Sequence, residues 1–296
     1  MGCPEGGVQP PRFRAVHGQP PPLGFHQIVS RLRSAGCVFA EDEARLLLAE
    51  GTGPEELSRH VQQRVDGVPL EHILGWAGFA GGRIVVGPGV FVPRRRTELL
   101  VNEALPLLTE ALALPPDVAP PARPVAVDLC CGSGAVGTAI LRRAPQVELH
   151  AADIDPAAVG CARRNLEPLG GHVHAGDLFA ALPPSLRGRV RVFAVNAPYV
   201  PTQAIRLMPA EARLYEPVAS LDGGPDGLDF HRRVAAGCVR WLAPGGHLLI
   251  ETSGRQAAGT SGILAAAGFT TRTVRSEELD GTVVVGRLPA RGAGAV

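Results

Sequence analysis

The sequence predicts an α/β chain in which a mostly parallel sheet alternates with helices behind a small helical unit. From Val125 onward, short apolar runs alternate with helical stretches in the manner of a parallel sheet. Four of those runs lead into a polar residue: Asp128, Asp153, Asp177 and Asn196. Before Gly75 the apolar spacing is that of helices alone. At 296 residues and 45% hydrophobic, the chain can build one large core and a second, smaller one.

In chain order, residues 1–23 carry Pro and Gly where a signal peptide would carry an apolar core, and read as a disordered extension. Residues 24–74 form the helical unit. Ile28, Val29 and Leu32 share one face, Ala44, Leu47 and Leu48 a second, and Leu57, Val61 and Val65 a third on a helix opened by Pro54. Residues 75–93 alternate and are studded with glycine, which reads as a linking hairpin. Residues 94–288 form the α/β domain, with a stiff Pro-rich surface segment at Pro115, Pro116, Pro120, Pro121 and Pro124. Its strands are expected at Val125–Leu129, Val147–Ala152, His172–Ala175, Val190–Val195 and His247–Glu251. A closing hairpin pair follows near Thr270–Val274 and Thr282–Gly286. Helices are expected at Ala135–Arg143, from Asp155-Pro156 to Leu166, at Phe230–Leu242 and around Ile263–Ala267. Residues 289–296 read as a flexible tail.

A net charge of +1 gives no overall basic field for nonspecific nucleic-acid binding. All 29 basic residues are Arg, which excludes a Schiff-base lysine, a lysine general base and a P-loop. The six cysteines (Cys3, Cys37, Cys130, Cys131, Cys161 and Cys238) show no C-x-x-C pair and no His at zinc-ligand spacing, so no metal site is expected. They are too sparse for a disulfide scaffold, which points to a reducing, cytoplasmic compartment. No apolar run approaches the ~18 residues that span a membrane.

In an open parallel sheet, ligands bind beyond the carboxyl ends of the strands, so the four polar residues should converge on one crevice. The first turn, Asp128-Leu129-Cys130-Cys131-Gly132-Ser133-Gly134, opens a helix and aims free backbone N–H groups at a ligand. Gly132, Gly134 and Gly137 satisfy G-x-G-x-x-G, which fits a nucleoside-bearing ligand but does not separate NAD from S-adenosylmethionine, and serves a purely structural turn as well. Asp153 can take both ribose hydroxyls or cap a helix. Asp177 with Leu178 can hold an adenine or sit in a solvated loop.

Asn196-Ala197-Pro198-Tyr199 separates the two cofactors, although Asn and Pro also suit an ordinary turn. A dehydrogenase has no evident use for it; methyl transfer to an amide or amino nitrogen does. Such a nitrogen is a poor nucleophile because its lone pair is delocalised. If the Asn196 side-chain oxygen and the Ala197 carbonyl each accept one N–H, the lone pair can turn toward the methyl carbon, and alignment supplies much of the rate. Tyr199 can stack on the planar group and Pro198 fixes the backbone. The same grip would serve an exocyclic amine of a flipped base in DNA or RNA, with Arg94, Arg95 and Arg96 against phosphate. A noncatalytic module that binds cofactor is the remaining alternative.

With these residues in place, the chain resembles the HemK/PrmC family of protein-(glutamine-N5) methyltransferases, which act on the GGQ-motif glutamine of peptide chain release factors. The likeness runs from roughly Ala35 to Gly286. It includes Pro69-Leu70-Glu71-His72-Ile73-Leu74-Gly75, the stretch from Pro88 to Arg94, Thr97-Glu98, Tyr215-Glu216-Pro217 and the run from Leu221 to Asp229. The resemblance implies a Rossmann-like class I S-adenosylmethionine-dependent methyltransferase fold with a seven-stranded sheet. It also implies an N-terminal helical domain that helps bind a release factor, a linking hairpin and S-adenosyl-L-methionine as cofactor. No membrane partner and no nucleic-acid substrate are expected, and the oligomeric state is left open, with a monomer the expectation. By position, Cys130, Cys131, Gly132, Ser133 and Gly134 line the methionine part, Asp153 takes the ribose and Leu178 lies by the adenine; Asp128, Asp177 and Asn196 are counted among the cofactor-binding residues. Asn196, Ala197, Pro198 and Tyr199 hold the target glutamine. Three residues depart from the family pattern. Ala197 replaces a proline. Cys130 replaces a loop glycine, which a negative φ would tolerate. Arg95-Arg96 replace a Pro-acid pair, leaving open a divergent paralogue that acts on another protein's glutamine.

Overall fold

The computed structural model describes residues 23–112 and 123–290. The expected N-terminal extension up to residue 22, the Pro-rich segment up to residue 122 and the tail from residue 291 lie outside the described residues. The chain divides into two compact units between Asp66 and Gly67, rather than between Leu74 and Gly75.

Among the described residues the first unit holds three helices: α1 (Phe25–Ser34), α2 (Ala40–Ala49) and α3 (Pro54–Val65). Ile28, Val29 and Leu32 of α1, Ala40, Ala44 and Leu47 of α2, and Leu57 and Val61 of α3 are its buried residues. Leu48, expected on the buried face, is 38% exposed, and Ala40 is buried one turn below Ala44 instead. Pro54 stands at the start of α3, where its missing N–H costs nothing.

The second unit opens with α4 (Leu70–Leu74), which Gly75 ends in the left-handed region at φ +77°. The antiparallel hairpin β1 (Trp76–Phe79) and β2 (Gly82–Val85) follows, with Trp76 opposite Val85. The His72 ring Nε2 lies 2.8 Å from the Val90 carbonyl, tying α4 to the chain beyond the hairpin. Helix α5 (Glu98–Leu112) was not legible in the sequence, yet Leu99, Leu100, Val101, Ala104 and Leu108 on it are buried.

The α/β elements are β3 (Val125–Leu129), α6 (Ala135–Arg143), β4 (Glu148–Asp153), α7 (Pro156–Leu166), β5 (His172–Ala175) and β6 (Val190–Val195). They continue with α8 (Ala210–Tyr215), α9 (Asp229–Cys238), β7 (Leu242–Glu251), α10 (Ala257–Ala266), β8 (Thr270–Ser276) and β9 (Gly281–Arg287). The seven strands lie in the order β5-β4-β3-β6-β7-β9-β8. All pairs from β5 to β7 are parallel, while β9 runs antiparallel to β7 and β8. Strand order therefore reverses between β3 and β6, where an open sheet of this kind leaves its ligand crevice.

Both faces of the sheet are covered, which is why its strands read as continuous apolar runs. Val192 and Ala194 point into the layer containing α5 and α6, while Phe193 and Val195 point into the layer containing α9 and α10. One expectation fails here: α9 ends at Cys238, not Leu242. Trp241 N–H turns back to the Cys238 carbonyl, and Leu242 already pairs with Val190. The register then jumps, so that Val192 faces His247, and the Pro244-Gly245-Gly246 stretch is absorbed as an irregularity inside β7.

Candidate active site at the sheet's carboxyl edge

Asp128, Asp153, Asp177 and Asn196 line one cavity, together with Cys130, Cys131, Gly132, Ser133, Leu178 and Ala197, Pro198 and Tyr199. Gly134 does not line it. Its φ is +75°, and a Cβ there would lie 2.9 Å from the Leu166 side chain, so it serves the packing of α6 on α7.

Asp128 sits inside β3, one residue earlier than a strand end, and is 2% exposed. Its Oδ2 accepts the Gly137 N–H at 2.9 Å, in the first turn of α6. Burial raises its pKa to about 7; the Gly137 N–H pulls it back and the neighbouring Asp153 pushes it further up. Asp153 ends β4. Its Oδ2 accepts the Gly132 N–H at 2.8 Å and its Oδ1 accepts the Asp155 N–H at 3.0 Å. Burial raises its pKa as well, against the N–H groups of Asp155, Gly132 and Ile154. A carboxylate has about four lone-pair sites, so Asp153 keeps acceptor capacity for a ligand hydroxyl beside these N–H groups. Asp155 is the cap of α7, accepting the Ala157 N–H at 2.8 Å.

The loop between β3 and α6 departs from expectation at Cys130. Its φ is +59°, left-handed, as at Gly132 (+54°) and Gly134 (+75°). A non-glycine residue there costs roughly 1–2 kcal/mol. Cys131 N–H bonds to the Ala152 carbonyl at 3.0 Å, which pins the loop to β4. Burial, then the surrounding acids, push both thiols up, so they stay protonated. Leu178 is also left-handed (φ +46°) and buried, its side chain flanking the cavity. Asp177 is half-exposed and ion-paired with Arg233 at 2.5 Å.

At the other end, Asn196 follows β6 directly. Its Nδ2 donates to the Thr97 hydroxyl oxygen at 3.3 Å, which leaves its Oδ1 as the free acceptor. Among the described residues no donor is bonded to the Ala197 carbonyl. Tyr199 Oη donates to the buried Glu251 carboxylate at 3.3 Å.

The runs shared with the resembled family turn out to back this loop. Gly223 N–H donates to the Val200 carbonyl at 2.8 Å and Val200 N–H to the Leu221 carbonyl at 2.9 Å. A Cβ on Gly223 would meet the Tyr199 Cα at 2.7 Å, and one on Gly227 the Tyr199 carbonyl oxygen at 2.3 Å. Only glycine permits so close an approach. Gln256, which the sequence reading missed, donates its Nε2–H to that same carbonyl at 2.8 Å. Glu216 accepts the Arg94 guanidinium at 2.5 Å and the Val92 N–H at 3.3 Å, fixing the stretch that precedes Thr97. Of the three consecutive arginines, Arg94 and Arg96 line the cavity, and Arg95 lies outward against Glu278. Thr97, Glu216, Gln256 and Glu251 carry no spacing signal, because each acts across long sequence separation.

Two buried carboxylates that accept backbone N–H groups and have no salt-bridge partner among the described residues suit a cationic ligand. A nucleoside carrying a sulfonium fits that donor set, with ribose hydroxyls at Asp153 and an apolar wall at Leu178. Fold and site together define a class I S-adenosyl-L-methionine-dependent methyltransferase. Residues 87–212 match the model of the methyltransferase small domain. The chain is 35% identical to the release factor glutamine methyltransferase of Geobacter sulfurreducens over 73% of this chain and 72% of that protein. It is 33% identical to a 4-amino-L-phenylalanine/4-methylamino-L-phenylalanine methyltransferase of Streptomyces pristinaespiralis, over 80% of this chain and 78% of that one. A methyltransferase of known structure from Pyrococcus furiosus, 13% identical, shares the fold with a TM-score of 0.50, over 70% of this chain and 88% of that one. The chain belongs to the release factor glutamine methyltransferase family. Among the described residues no helix is long and apolar enough to cross a membrane.

Proposed function

We propose that this enzyme methylates the side-chain amide nitrogen of a glutamine in a peptide chain release factor, the glutamine of its GGQ motif. The observation that carries this reading is the pair of free acceptors at the end of β6: Asn196 Oδ1, set by the bond from Nδ2 to Thr97, and the Ala197 carbonyl. An amide NH2 has two N–H groups to satisfy, and these two oxygens take one each. With both held, the amide plane is fixed so that the lone-pair face of the nitrogen is presented to the cofactor half of the cavity. S-adenosyl-L-methionine supplies an electrophilic methyl group. The chain's residues then have to bind, align and exclude water, and no strong base is required because the alkylated nitrogen sheds its own proton. Pro198 holds the backbone and Tyr199 offers a planar face beside the amide. Asp128, Asp153 and the loop Cys130–Gly134 hold the cofactor, and Leu178 with Asp177 flanks its base. The N-terminal three-helix unit is assigned to the protein substrate.

A second reading has one observation in its favour. The Streptomyces pristinaespiralis relative is named for the arylamine of an amino acid, and an arylamine NH2 presents the same two N–H groups to the same two acceptors. Labelled methyl transfer to a purified release factor, to its version with the GGQ glutamine replaced by alanine, and to 4-amino-L-phenylalanine separates the two. Label on the unaltered release factor alone supports the first reading; label on the amino acid alone supports the second.

A further inference from the structure

We propose that Gln256 is a positioning residue for the target half of the cavity: its side-chain amide clamps the Tyr199 carbonyl to the Asp226-Gly227 turn, and so sets the direction of the free Ala197 carbonyl and the seat of the Tyr199 ring. The inference rests on the amide-gripping function above.

Asn196-Ala197-Pro198-Tyr199 leaves β6 as irregular chain, with no helix or strand to hold it. The Ala197 carbonyl has no donor among the described residues, so its direction depends on what fixes the chain on either side. Before it stands Asn196, tied to Thr97 at 3.3 Å. After it, the holding group is Gln256, which occupies the N-terminal cap position of α10 and does not line the cavity. Its Nε2 lies 2.8 Å from the Tyr199 carbonyl oxygen, 3.1 Å from that of Asp226 and 3.3 Å from that of Gly227. Backbone carbonyl oxygens only accept, so the amide must turn its NH2 toward them. On its other side the Ser253 hydroxyl donates to Oε1 at 2.6 Å. Both ends of the amide are therefore assigned by bonds, and its two N–H groups join Tyr199 to the turn. Nothing larger than glycine fits between them: a Cβ on Gly227 would stand 2.3 Å from both Gln256 Nε2 and the Tyr199 oxygen. The hydroxyl end of Tyr199 is held from the same corner, by Glu251 at the end of β7, at 3.3 Å. The turn from β7 into α10 thus grips Tyr199 at its backbone and at its ring tip.

Gln256→Glu keeps the shape and removes the donor. Ionised, it sets a carboxylate against three carbonyl oxygens and pushes the Tyr199 backbone away, whereas Val200 stays bonded to Leu221 and Gly223 and keeps the loop attached. Displacement on the ångström scale should lower kcat on release factor by about 10- to 100-fold. S-adenosyl-L-methionine affinity measured by calorimetry should stay within about threefold, because the cofactor half is untouched. The telling readout is pH. Carbonyl oxygens favour the protonated acid, which lifts its pKa above the usual ~4.3, and the protonated acid has one O–H to return to Tyr199. The kcat of Gln256→Glu relative to wild type at the same pH should therefore recover several-fold as pH falls from about 8 to about 6. Gln256→Leu, which has no donor at any pH, should lose kcat to a similar extent and show no recovery. Simple damage to packing moves both variants alike and has no such slope. If the wild type transfers no methyl to release factor, the functional reading fails and the clamp's role falls with it. If it does, the clamp alone is overturned by wild-type kcat in either variant, by a Gln256→Glu ratio that follows that of Gln256→Leu at every pH, or by cofactor affinity that falls as far as kcat.

Discussion

The two halves of the cavity are built on opposite electrostatic plans. Around β3, β4 and β5 the acids outnumber their partners: Asp128 and Asp153 are buried together, receive only backbone N–H groups, and are both held above the usual carboxylate range. Around β6 and β7 the charges are matched, Arg94 with Glu216 and Arg96 with Glu251, and the acceptors at the end of β6 are neutral oxygens. The first half, whose acids receive no cationic side chain at Asp128 or Asp153, suits a cation such as a sulfonium nucleoside. The second suits an uncharged NH2 group, and a net charge there would upset pairs already made. Backbone differs too. The cofactor half stores strain at Cys130 and Leu178, whereas the target half relies on glycines that let Leu221–Asp229 press against Tyr199.

The largest effect that would sharpen this contrast is expected at Asn196. Asn196→Ala should lower kcat by about 10³-fold or more, the order seen when a positioned polar group at a reacting centre is removed, while cofactor affinity stays within a few-fold. Turnover within tenfold of wild type would mean that the target half does not work by this grip.

The matching test of the cofactor half is pH. Asp128 has its folded pKa raised to about 7 from an ordinary value of 3.8, so between these values the folded protein holds a proton there that the unfolded chain has lost. Stability from this group therefore falls as pH rises from about 4 through 7. Binding of a cation favours the ionised form, so cofactor affinity should rise over the same interval, by up to about tenfold per unit below pH 7, and level off above it. The groups facing Asp128 are Asp153 and the protonated thiols of Cys130 and Cys131. Asp128→Asn should flatten the slope. A slope unchanged in that variant would assign the titration elsewhere.

Next in size is the backing of the target loop. Gly227→Ala would force a methyl group against the Tyr199 carbonyl, at a residue whose φ of +75° already disfavours alanine. A fall in kcat of about 10- to 100-fold, with a lower melting temperature, is expected from displacement on the ångström scale. A variant with wild-type kcat would show that Tyr199 need not be held there. The smallest effect belongs to Cys130→Gly, which relieves a left-handed non-glycine residue and should add about 1 kcal/mol of stability in thermal melts. A loss of stability would mean that the thiol's packing outweighs the strain.

What was legible in the sequence was whatever repeats locally. The parallel strands announced themselves because both sheet faces are buried, and α7 because Asp155-Pro156 is a cap followed by a first-turn proline. Asp128, Asp153, Asp177 and Asn196 could be gathered because each sits at the carboxyl edge of its strand and the fold brings those edges together. Helix α5 gave no cap or boundary signal, and the C-terminal end of α9 was hidden by an irregular strand start. The roles of the supporting residues were hidden for a different reason. Glu251 reaches Tyr199, Gln256 its carbonyl and Glu216 Arg94 only after the chain has folded. Cys130 misled the sequence reading because residue type alone suggested a negative φ, while the loop's pinning to β4 and Asp153 imposes a positive one.

The function itself is tested most directly by transfer of labelled methyl from S-adenosyl-L-methionine to purified release factor, with total RNA and DNA as parallel acceptors. Label on the release factor, lost when its GGQ glutamine is replaced by alanine and absent from nucleic acid, is the predicted result. Label on nucleic acid alone, or on the alanine version as strongly as on the unaltered protein, would contradict it.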